Sequence, residues 1–221
     1  MHTPQSGKHN AAGFSLIELM IAMTIIIIGM GVASKLLAQS FGIRTREDTR
    51  SDAIADAQRA LNIMSRELAN AGFGMMDNGI VPADTGADSI RIRANLNAYQ
   101  GQTTSNVVTD RDEDVKYLMY TDDAAGRRYL VRYDVNLTAP MNLTVLANRI
   151  DSLAITYWDE DGNQLNVATT PALAANVARL VLTVGVTLPA VAQPGASNHI
   201  PASQVQLSSE VVLRNTRQTT Y

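Results

Sequence analysis

From Phe14 to Ser34 the chain carries one formal charge, that of Glu18. As a helix these residues would extend about 31 Å, at about 1.5 Å per residue, against a bilayer core of about 30 Å. Nothing else in the sequence restricts the fold so much. A run of this length and polarity predicts a membrane-spanning helix over residues 14–34. A lone carboxylate inside such a run is costly and needs a partner. The residues ahead of the run suggest one. Met1 to Gly13 is a short polar leader with Lys8 and no acid, and it ends in a small residue directly before the apolar segment. Cleavage after Gly13 would create a new amino terminus on Phe14. One helical turn separates Phe14 from Glu18, so that amine and the carboxylate fall on one face. In a packed array the amine of one copy could instead meet the glutamate of its neighbour and set the axial register.

The stretch Gly13-Phe14-Ser15-Leu16-Ile17-Glu18-Leu19-Met20 resembles the prepilin signal of type IV pilins and type II secretion pseudopilins. The resemblance implies cleavage after Gly13 by a prepilin peptidase, N-methylation of Phe14, and an assembly role for Glu18. A secretory signal peptide has its small-residue cleavage site after the apolar core, not before it. The resemblance also implies that the leader is cytoplasmic and the bulk of the chain periplasmic. Charge counting points the other way, because Lys35, Arg44, Arg46 and Arg50 follow the run. The cleavage motif is the more specific signal. Many major pilins carry a proline near the end of the run. Lys35 holds that place here, which favours a minor pilin or pseudopilin.

Beyond the run the helix is expected to continue over 35–72. Ile54, Leu61 and Leu68 recur at seven-residue spacing, as do Ala57, Met64 and Ala71. The two rows form one apolar stripe, with Arg59, Arg66, Glu67 and Asn70 off it. The stripe is only about three heptads long and rich in small residues, which suits a helix laid on strands. Gly72 and Gly74 are the expected stop. The phrase Met64-Ser65-Arg66-Glu67-Leu68-Ala69-Asn70-Ala71-Gly72-Phe73-Gly74 is similar to the helix end of PilW-type minor pilins.

After Gly74 the period changes to two. Ile90 and Ile92, then Val115, Tyr117 and Met119, then Tyr129, Val131 and Tyr133 alternate as strands, the last two joined through Asp122–Gly126. Leu153, Ile155 and Tyr157 precede an Asp161-Gly162 turn. Leu180 to Leu188 and Val205 to Leu213 are the longest strands, joined by a loop over 189–203. The expected fold is α+β, a long helix packed on a mostly antiparallel sheet, with the globular part over 73–221. The ending Glu210-Val211-Val212-Leu213-Arg214-Asn215-Thr216-Arg217 resembles that of PilW-type and J-type chains.

Composition removes several chemistries. There is no cysteine, and His2 and His9 lie in the leader, so only His199 would survive processing. Catalysis through thiols or several histidines is excluded, and no nucleotide-binding or hydrolase motif occurs; the chain is not expected to be an enzyme. Asp110, Asp112 and Asp114, with Glu113 between the last two, form an acidic cluster with the spacing of a calcium loop. A solvated loop leading into the Val115 strand is the simpler explanation, and no cofactor is required. Arg127, Arg128, Tyr129, Arg132 and Tyr133 form a basic-aromatic patch that could grip single-stranded DNA. An ordinary strand accounts for it too, and a net charge of −3 does not suggest a nucleic-acid protein.

The resulting expectation is a minor pilin of a type IV pilus, held in the inner membrane before it joins the filament. Its implied partners are prepilin peptidase, other major and minor pilins or pseudopilins, and the inner-membrane assembly platform. A J-type pseudopilin of type II secretion is the alternative with the same fold. A signal-anchored periplasmic binding or adhesion domain is the alternative of another class.

Overall fold

The computed structural model describes residues 14–97, 108–122, 124, 126–148, 150–192, 194–196 and 199–216. The chain divides into two units, residues 1–45 and residues 46–221. One helix, α1 (Leu16–Leu68), contributes to both.

In the first unit the helix is nearly all there is to describe. No proline interrupts the chain between residues 14 and 81. The carbonyl of Ser15 accepts the Leu19 N–H at 3.1 Å and opens the first turn. Every side chain from residue 14 to 38 is exposed.

The second unit holds the rest of α1 and eight strands. These are β1 (Ser89–Arg93), β2 (Asp114–Asp122), β3 (Arg127–Asp134), β4 (Leu143–Ala147), β5 (Ser152–Trp158), β6 (Gln164–Leu165), β7 (Arg179–Leu188) and β8 (Ser203–Val212). Short 3-10 turns at Pro82–Asp84 and Pro171–Asn176 link them. The pattern of the sequence suggests one sheet. The structure has two, ordered β1-β2-β3-β4 and β6-β5-β7-β8, with every pairing antiparallel. Strand β4 has a mostly exposed pattern and β6 is two residues long, so neither offers the alternation by which strands are read.

The core lies where the helical stripe meets both sheets. Ala53, Ala57, Ala60, Leu61, Met64 and Leu68 are buried, and they join Ile90, Tyr117, Leu130, Ile155, Leu180, Leu182 and Val211 in one apolar cluster. The small residues bring the helix close to the strands, and Met64 and Leu68 fill the space at its far end. Ile54, placed on the stripe by spacing, is only half-buried, whereas Ala60, off both seven-residue rows, is fully buried. The stripe therefore drifts around the helix, as a 3.6-residue turn requires of a seven-residue repeat.

Helix α1 ends at Leu68, four residues before the expected limit, and turns follow through Gly74. Gly72 has φ +75°, and a Cβ there would sit 2.6 Å from the Asp77 carbonyl oxygen. Gly79 has φ +73°, and a Cβ there would overlap the Gly72 nitrogen and the Arg93 carbonyl oxygen. The two glycines let the chain cross itself. The crossing is fastened by Gly72 N–H donating to Arg93 O at 2.9 Å and Arg93 N–H donating to Gly79 O at 2.7 Å. The helix end is thereby tied to β1.

Candidate functional site: the amino-terminal helix and its anchoring network

Phe14 stands just ahead of α1 and is 84% exposed. Glu18 lies in the first helical turn, where an acid favours the positive end of the helix dipole. Around and after it run Leu16, Ile17, Leu19, Met20, Ile21, Met23, Ile25, Ile26, Ile27 and Ile28, all exposed. An apolar surface of this extent is not left open in a water-soluble protein, where patches rarely exceed a few hundred Å². The segment is long and apolar enough to cross a membrane, and none of it is buried in the chain itself. The Thr24 hydroxyl is satisfied within the helix, since its Oγ1 donates to Met20 O at 2.8 Å. Gly29 and Gly31 have open space around them, so they relieve no contact within the chain. Gly13 lies outside the described residues.

In the second unit the charged residues lock helix to strands. Glu67 accepts the Tyr117 hydroxyl at 2.5 Å and Arg132 Nε at 2.9 Å. Arg132 Nη2 also donates to Asp112 at 2.7 Å. Burial, and then the neighbouring Glu67 charge, push the Tyr117 hydroxyl pKa well up, so it stays protonated and donates. Glu67 reads from the sequence as an outward-facing acid one residue off the stripe. Nothing local in the sequence tells it from Arg66 or Asn70; its partners lie 50 and 65 residues away.

The three candidate calcium carboxylates face different partners. Asp114 sits between Arg91 and Arg93, with Arg91 Nε at 2.7 Å and Arg93 Nε at 2.9 Å. Burial alone would raise its pKa, but the hydrogen bonds from Arg91 and Arg93 outweigh it and hold the carboxyl below the usual carboxylate range. Asp112 engages Arg132, and Asp110 accepts from Asn97 Nδ2. Glu113 turns inward to accept the backbone N–H groups of Leu96, Thr109 and Asp110. Among the described residues, no three His, Asp or Glu side chains come together as a metal site. Asp161-Gly162 forms the expected turn between β5 and β6, with Gly162 at φ +83° and Asn163 N–H donating to Asp159.

The basic-aromatic patch is divided as well. Arg127 lies 6.0 Å from the Tyr129 ring centre and pairs with Asp122. Arg128 donates to Asp151 O at 2.6 Å, and Arg132 is committed to Glu67 and Asp112. Arg127 and Arg128 line one cavity with Thr49 and Ala53, whereas Arg132 is turned to Glu67.

Two segments far apart in sequence, residues 64–74 and 210–216, meet in space. Arg214 N–H donates to Ala69 O at 3.3 Å, and Asn215 Nδ2 donates to Ala71 O at 3.1 Å. The Leu-Arg-Asn ending thus bonds carbonyls of the turns that follow α1.

Residues 8–34 match the family model described as the prokaryotic N-terminal methylation motif. The chain carries that motif. The matched residues include Gly13, Phe14, Glu18 and the exposed apolar run as far as Ser34. No curated protein sequence matches the chain. Among solved structures it is similar to a type IV-like pilin from Thermus thermophilus, with 13% identity and a TM-score of 0.43 over 75% of this chain and 97% of that one.

Proposed function

We propose that the chain is a minor pilin of a type IV pilus, made with a leader over residues 1–13 and processed at Gly13–Phe14 by a prepilin peptidase. The observation that carries this reading is the methylation motif over residues 8–34, whose apolar side chains from Phe14 to Val32 are all exposed. Before assembly the inner membrane covers the run over residues 14–34, with the bulk of the chain in the periplasm. On assembly the helices of neighbouring pilins cover it. Transfer from lipid to a helix bundle exchanges one apolar environment for another, so packing and polar contacts decide the outcome. Glu18 meets the methylated amine of a neighbouring Phe14 and selects register more than it adds stability.

The PilW type, a priming or tip component, is favoured by the Ala71-Gly72-Phe73 phrase and the Leu213-Arg214-Asn215 ending. A J-type pseudopilin of type II secretion, which shares the ending and the processing, is the alternative with the same fold. Intact mass and N-terminal sequencing of the protein from its native membrane test the core of the proposal. A start at methylated Phe14 supports it. A start at Met1 with the peptidase present rejects it in favour of a signal-anchored domain.

A further inference from the structure

Two four-stranded sheets have four edges, and the chain treats them unequally. Strand β1 is covered, because residues 79–81 bridge to it through Val81 N–H on Arg91 O, Arg93 N–H on Gly79 O, and an Ile80–Ile92 bridge. Strand β6 is two residues long. Strand β8 is ten residues long and paired with β7 along its whole length. No described residue bonds to its other backbone edge. Proteins usually blunt such edges with proline, lysine, bulges or short length. From Ser203 to Val212 there is no proline, lysine or arginine, and the one charge, Glu210, is taken by Arg179 of β7. Strand β4 is shorter but also uncharged, and it exposes Leu143 at 41% and Val145 at 44%.

The directions of these two edges are the second observation. Strand β8 runs the same way as α1. Arg46 donates to Ser203 near its start, Ser65 bonds Ser209 further along, and Arg214 just past its end donates to Ala69. Strand β3 also runs with α1, since Arg128 shares a cavity with Thr49 and Ala53, while Arg132 reaches Glu67. Strand β4 is antiparallel to β3 and therefore runs against α1.

We propose that β8 of one copy of this chain pairs antiparallel with β4 of the next, extending one sheet into another across a subunit boundary. When two copies stand with their α1 helices in the same direction, β8 and β4 oppose each other correctly. Two β8 edges would then meet parallel, and so would two β4 edges; antiparallel pairing of like edges needs opposed helices. The contact is heterologous and leaves an unused edge at each end of the pair. Backbone hydrogen bonds supply the attraction, as in other strand additions, and the length of β4 limits the overlap to five residues. The common helix direction rests on the filament reading above.

The chain has no cysteine, so introduced thiols report without background. Full-length Val145→Cys is co-produced in one cell with full-length Gln204→Cys, Gln206→Cys or Ser208→Cys, with two different tags. Membranes are oxidised and the dimers read on a non-reducing gel. The expected result is a mixed-tag dimer with at least one β8 variant and no dimer between two β8 variants. Three results overturn the proposal: no mixed dimer, dimers of like variants only, or capture of a different protein in place of the Val145→Cys chain. Thermal melting of each reduced variant checks that folding is intact, and a variant that fails to fold is replaced by a cysteine two residues along the same strand. The amino terminus is sequenced in the same samples. A Met1 start fails the filament reading alone, whereas a Phe14 start without mixed dimers fails the edge contact alone.

Discussion

The two parts of α1 use apolar residues in opposite ways. Over Leu16–Leu37 they surround the helix, with Ile25, Ile26, Ile27 and Ile28 in unbroken succession, and all are exposed. Over Ala53–Leu68 they keep to one stripe and are buried against two sheets. A helix apolar on every side has no inward face to offer a single domain, so its partner must surround it. A striped helix has a defined partner within its own chain. The comparison separates assembly from folding along one continuous element, and each half can be tested by a change that should leave the other alone.

The largest effect is expected at Glu18. In Glu18→Ala, cleavage and methylation at Phe14 should persist while incorporation into filaments falls to background. Immunoblots of sheared filament and membrane fractions, with N-terminal sequencing of the membrane form, read both. Wild-type incorporation would remove the charge pair from the account of register.

In the striped half, Met64→Ala opens a cavity where helix and sheets meet, because Met64 is fully buried. A loss of about 2–5 kcal/mol is expected from such truncations. Denaturant melts of the full chain in detergent would measure it, and processing at Phe14 should be unaffected. A cost under about 1 kcal/mol would mean that the stripe is not the centre of the core. Tyr117→Phe is a smaller perturbation of the same contact. It removes the hydroxyl donated to Glu67 and leaves the ring in place. Arg132 still satisfies the carboxylate, so the loss should be about 1 kcal/mol, the low end for a buried hydrogen bond.

The apolar run, the motif at its start, the helical stripe and six of the eight strands were legible in the sequence, because each is written in local period or in contiguous residues. Strand β4 was not, since it has no alternation, nor was the division into two sheets, which depends on which strand pairs with which. The fate of Asp114 shows the same limit in chemistry. Read locally it belongs to an acidic loop with Asp110 and Asp112. In the fold it faces Arg91 and Arg93, 23 and 21 residues earlier. Charge spacing along the chain gives ligand-like patterns freely, and only tertiary pairing shows which carboxylates are already spoken for.

That pairing has a pH signature. Hydrogen bonds from Lys116 and then Arg91 lower the Asp84 pKa, and those of Arg91 and Arg93 outweigh burial at Asp114. A depressed folded pKa stabilises the native state fully above the unfolded value, near 4 for aspartate, and this contribution is lost as pH falls through the lower folded values. Melting temperature should therefore hold between about pH 7 and pH 5 and decline below about pH 4. Asp114→Asn should melt lower at neutral pH and show a shallower acid decline. An equal decline in both proteins would assign the acid sensitivity to other carboxylates.

The smallest expected effect tests the exposed half directly. Ile25 makes no buried contact within the chain, so Ile25→Ala should change denaturant stability in detergent by less than about 0.5 kcal/mol, the usual range for surface positions. The same truncation in the striped half costs several times more, although isoleucine and methionine bury comparable apolar surface when they are enclosed. The discrepancy measures what encloses each side chain. If Ile25→Ala were to destabilise residues 46–221 as strongly as Met64→Ala does, the exposed run would be part of the folding unit. A near-zero cost in detergent together with weakened filament incorporation would place the partner of Ile25 outside its own chain, which is the property that divides the two halves of α1.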